Sequence, residues 1–87
     1  MAKKKTTIER IQTGVRMEKR MVKVLKAVAE YHDMTLGDLL EGIVLHAFEG
    51  KCALSKETRR VVSDFANIYG LDLTSSDSHK LKEKRSS

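Results

Sequence analysis

The stretch IQTGVRMEKRMVKVLKAVAEYHDMTLGDLLEGIVLHAF, residues 11–48, changes its hydrophobic period once and is interrupted once, and those two features set the expected fold. In its first seven residues Ile11, Thr13, Val15 and Met17 fall on one parity, while Gln12, Gly14 and Arg16 fall on the other. Alternation with period two is the pattern of a half-exposed strand. From Glu18 onward the period lengthens. Met21, Val24, Leu25 and Val28 stand at i, i+3, i+4 and i+7, with Lys19, Arg20, Lys23, Lys26 and Glu30 on other faces, which predicts an amphipathic helix from Glu18 to Tyr31. His32-Asp33-Met34 interrupts it. Thr35 then offers an N-cap, with Asp38 placed to complement the dipole of a second helix. Leu36, Leu39, Leu40, Ile43, Val44, Ala47 and Phe48 form that helix's two-column apolar stripe, which stops at Gly50.

Outward from this stretch the chain is simpler. Residues 1–9 read as a flexible basic arm and 10–50 as the main domain. Residues 51–73 hold a further helix, capped by Ser55, carrying Val61, Val62, Phe65, Ile68 and Tyr69 on one face, and stopped by Gly70. In residues 74–87 only Leu81 is strongly apolar, so a disordered tail is expected.

At 87 residues the chain is one small domain. A monomer of that size buries only about 60% of the surface its unfolded chain exposes. Absence of Pro and Trp, with four aromatics, favours a helix-rich chain. No apolar run is long enough to span a membrane, and the lysines at the N-terminus are not followed by an apolar signal core. The single Cys52 cannot form an intrachain disulfide, which points to a reducing, cytoplasmic setting. So short a chain leaves little room for a closed catalytic pocket. With no nucleophile–base set, phosphate loop or metal cluster in view, it reads as a non-enzyme that needs no cofactor.

The net charge of +5 is unevenly spread. Residues 1–16 hold five bases against Glu9, whereas residues 32–54 hold Lys51 against four acids. A basic end on a small domain favours a polyanionic partner, nucleic acid before a membrane surface.

One strand cannot be a sheet, because its backbone N–H and C=O groups need partners. No second strand-like run exists to pair with it. Twofold antiparallel pairing of residues 11–17 with another copy would complete a two-stranded ribbon and let both chains share one core. The expectation is therefore a homodimer.

Strand, helix, short break and capped helix behind a basic N-terminus resemble the ribbon-helix-helix (MetJ/Arc-type) DNA-binding family. The resemblance covers residues 10–50 and rests on QTGVRM, EKRMVKVLKAVAEYHDM and TLGDLLEGIVLHAF. It implies a mainly α homodimer with an intersubunit two-stranded antiparallel β-ribbon, the C-terminal helix being an addition. Carried over by position, Gln12, Gly14 and Arg16 would read bases in the major groove of double-stranded DNA. Arg forks onto guanine and Gln pairs with adenine, whereas Gly14 offers only backbone. Thr35, Leu36 and Gly37, at the start of the second helix, would anchor a phosphate, with Lys3, Lys4, Lys5 and Arg10 adding phosphate contacts. Val15, Met17, Val24, Leu25, Val28, Leu36, Leu39, Leu40, Ile43 and Val44 would form the dimer core. The function implied is that of a sequence-specific transcriptional regulator, a repressor.

The alternative is an antitoxin-like or adaptor module that holds a protein partner through residues 55–87. A basic membrane-surface protein fits less well, because the first helix lacks a bulky aromatic face. His32, His46, His79 and Cys52 share no ligand spacing on a helix face, and Lys56, Arg59 and Arg60 read as an exposed helix face.

Overall fold

The computed structural model describes residues 6–83, which form three α-helices and no strand. α1 spans Lys19–Tyr31, α2 Leu36–Phe48 and α3 Lys56–Tyr69, with one 3-10 turn at Ser75–Asp77. Each helix starts on a side-chain cap that satisfies a backbone donor with no partner inside the helix. Glu18 accepts from the Met21 N–H at 3.1 Å, Thr35 from Asp38 at 3.1 Å, and Ser55 from Thr58 at 3.1 Å.

All three helices end in one way. Met34 N–H donates to Ala29 C=O and Asp33 N–H to Glu30 C=O; Lys51 and Gly50 repeat the pair onto His46 and Ala47, and Leu71 and Gly70 onto Ala66 and Asn67. This is the Schellman arrangement, which places the residue after the cap in the left-handed region. Gly50 and Gly70 occupy it at φ near 70°, but after α1 the position falls to Asp33 at φ 56°. Aspartate is among the few non-glycine residues that tolerate this conformation.

The core is small and centred on α1. Val24, Val28 and Ala29 of α1 are buried with Leu39 of α2 and Val61 of α3, and Val28 is the most enclosed at 2% exposure. Leu25, Met34, Ile43, Val62, Phe65 and Leu71 pack around them. Both α2 and α3 lie against α1, while the α2 and α3 backbones stay apart. The radius of gyration is 15.0 Å, against about 12 Å for a compact chain of this length.

The expected intersubunit β-ribbon is not found. Residues 6–17 have no regular secondary structure and make no backbone–backbone hydrogen bonds. A strand is a hydrogen-bonded state, and the described residues contain no second extended run to supply its ladder. Alternation over seven residues records an amphipathic segment; Gly14 within it weakens any strand further. The described residues are thus all-helical, with three helices behind an irregular lead-in, and the third helix contributes Val61 and Thr58 to the interior.

Glu18 caps α1 as a carboxylate. Desolvation pushes its carboxyl up, but the Arg20 guanidinium and the Arg20 and Met21 backbone amides hydrogen-bond it and hold it below the ordinary range. A depressed folded value means that this contribution to stability is present above the ordinary carboxylate pKa and lost as pH falls through the folded one. Acidification should therefore fray the first turn of α1 before the other helices. Backbone amide NMR shifts of Arg20 and Met21 followed into acid would test it. Shifts that move only with global unfolding would remove Glu18 from the cap.

Candidate nucleic-acid interface

The lead-in puts every residue from Thr6 to Met17 at the surface. Gln12 and Arg16 are exposed, and a Cβ built on Gly14 meets nothing within 4 Å. The apolar parity is exposed too: Ile11 is 85% and Val15 72% accessible. Lys3, Lys4 and Lys5 lie outside the described residues.

Two carboxylates hold the arginines of this segment. Arg10 donates from its Nε and an Nη to the two carboxylate oxygens of Glu41 at 2.8 and 2.9 Å, a bidentate fork onto the middle of α2. Their hydrogen bond holds the Glu41 carboxyl below its usual range and raises Arg10. Arg16 pairs with Glu83 in the C-terminal segment. An open groove of about 650 Å³ runs beside the first pair, lined by Ile8, Glu9, Arg10, Ile11, Thr35, Gly37, Asp38 and Glu41.

The structure thus brings Arg10 to the start of α2, close to Thr35 and Gly37. That helix start also carries Asp38 in its first turn, with Glu41 one turn on. A phosphate there would meet free N–H groups and the positive helix end, but also two carboxylates. Arg10 is the cation placed to offset them.

The residues expected in a shared core divide. Val24, Val28 and Leu39 are buried within one chain, and Leu25 and Ile43 pack beside them. Leu36 and Leu40 are half-buried, whereas Val15, Met17 and Val44 are exposed. Leu45 and Phe48, the latter 82% accessible, extend the uncovered end of α2.

Other contacts were not legible as sites in the sequence. Arg20 donates to Glu18, to the Gly70 carbonyl at 2.8 Å and to Asp72 at 3.2 Å, tying the start of α1 to the end of α3. At the opposite end the buried Thr58 hydroxyl lies 3.0 Å from both His32 Nε2 and Ser55 Oγ. His46 Nδ1–H donates to the Gly42 carbonyl at 2.7 Å, as a helix-surface histidine does. No group of three His, Cys, Asp or Glu converges among the described residues. No helix among them is long and apolar enough to cross a membrane. No family model, curated protein or solved structure matches the chain.

Proposed function

We propose that this protein is a DNA-binding regulator that acts as a homodimer and contacts duplex DNA through Arg10, Gln12 and Arg16 of its lead-in. The observation that carries the reading is the exposure of a basic, irregular segment that leads directly into α1 and is free of backbone hydrogen bonds. Such a segment can order against a polyanion, and its arginines match phosphate and guanine geometry. The net charge of +5 draws the chain toward DNA and makes binding salt-dependent. Homodimerisation is supported by the exposed Val44, Leu45 and Phe48 of α2, continued by the half-buried Leu36 and Leu40. A DNA-bound role goes with a cytoplasmic location.

A protein partner is the second reading, favoured by Ile68 on α3, which is 70% exposed next to the partly exposed Tyr69. One set of measurements separates the two. Unfolding midpoints should rise with protein concentration, and sedimentation should give about twice the chain mass of 9.8 kDa. Titration against a 20-base-pair random duplex (a length of about two helical turns) should show affinity falling steeply with salt. A concentration-independent monomer removes the dimer. Absence of salt-dependent binding removes DNA and leaves the α3 surface.

A further inference from the structure

Arg10 and Arg16 are the only arginines between Thr6 and Met17, and each meets a carboxylate from a distant part of the chain. Glu41 lies 31 residues from Arg10, and Glu83 lies 67 from Arg16. Neither pair caps a helix or closes the core. Every group in them is substantially solvent-exposed, so each pair contributes little to stability. Their geometry has another consequence. Glu41 takes both oxygens to the Arg10 fork and so occupies the donors that a phosphate or a guanine edge would use, while Glu83 engages one Nη of Arg16.

Resting on the DNA-binding reading, we infer that Glu41 and Glu83 are autoinhibitory residues: internal competitors that hold Arg10 and Arg16 until DNA displaces them. A lone phosphate on an arbitrary sequence gains an arginine only by breaking an existing pair. Each displaced carboxylate is then left beside a polyanion. The cost is the same on every sequence, so the pairs lower affinity throughout and leave the ratio between sites unchanged. Glu41 carries the larger share, because Asp38 lies close by and sharpens the local negative field around a displaced Arg10.

The test uses the full chain and a random-sequence duplex as probe, followed by fluorescence anisotropy at two salt concentrations. Glu41→Gln and Glu83→Gln should each tighten binding about two- to fivefold, the range an exposed ion pair supports, and steepen the salt dependence. Removing any negative charge also favours DNA, so two controls isolate the mechanism. Asp64→Asn, on the outer side of α3, should tighten binding less. In an Arg10→Ala background, the gain from Glu41→Gln should vanish, because the two residues act on one interaction. Selection from a randomised duplex pool should give Glu41→Gln the same sequence preference as the parent, since phosphate contacts carry no sequence information. An equal gain with and without Arg10 overturns the inference, as does weaker binding by Glu41→Gln, which would make Glu41 a support for Arg10. If the parent binds DNA and Glu41→Gln binds identically, this inference alone falls; if no form binds DNA, the functional reading falls with it.

Discussion

Leu39→Ala is expected to cost about 2–5 kcal/mol and to loosen α2 from α1. Leu39 is the only fully buried residue that α2 contributes, at 7% exposure against Val24, Val28 and Val61. The enclosed core has five apolar members, so no other large side chain on α2 can take its place. A domain of this size has a stability of the order of 5–10 kcal/mol at most, and the decrease is a large part of that. Urea unfolding followed by circular dichroism would measure it. A midpoint within a few tenths molar of the parent would show that α2 is held by something other than Leu39. Leu40→Ala gives the contrast, because Leu40 is half-buried on the side that a second copy would cover. Its cost should grow with protein concentration, whereas that of Leu39→Ala should persist at every concentration.

Arg16→Ala should weaken binding to a selected DNA site by about 1–3 kcal/mol for each base that Arg16 reads, and relax preference at that position alone. The fold should survive, since Arg16 is exposed and its partner is Glu83, outside the core. Arg10→Ala should behave differently. Arg10 sits beside the start of α2, where phosphate is the expected partner, so its removal should reduce affinity for all sequences and lower the salt slope by about one per phosphate released. Both variants would be titrated against the selected site and a scrambled one at two salt concentrations. Equal weakening on both DNAs would make Arg16 a phosphate ligand as well. No change on either would remove the lead-in as the DNA-binding element.

The helices were legible because their signals are local. Thr35 with Asp38, Ser55, Gly50 and Gly70 mark boundaries through hydrogen bonds and dihedrals within a few residues of each other. Glu18, read as the first residue of a helix, is its cap, a shift of one position. The ribbon failed because a strand depends on groups elsewhere, and period-two spacing carries no information about whether those groups exist. The stripe of α2 was visible, but its two columns look alike; only packing against α1 distinguishes buried Leu39 from half-covered Leu40. Thr58 stands in line with Val61, Val62 and Phe65 on the apolar face of α3, and it is buried there with its hydroxyl satisfied by Ser55 and His32. The pairs of Arg10 with Glu41 and Arg16 with Glu83 span separations over which one sequence offers no pairing signal. These pairs change the reading of the candidate site most.

Because α2 and α3 each lean on α1 without their backbones approaching one another, the molecule should come apart in stages rather than all at once. In native-state hydrogen exchange, the amides in the middle of α1 should be the slowest, opening only with global unfolding. Those of α2, which has two internal glycines and a single enclosed side chain, should exchange through a local opening that leaves α1 and α3 together. α2 also carries Glu41, the anchor for Arg10. Each excursion of that helix therefore unmoors the lead-in as well, so the exchange rate of the α2 amides and the freedom of Arg10 should rise and fall together.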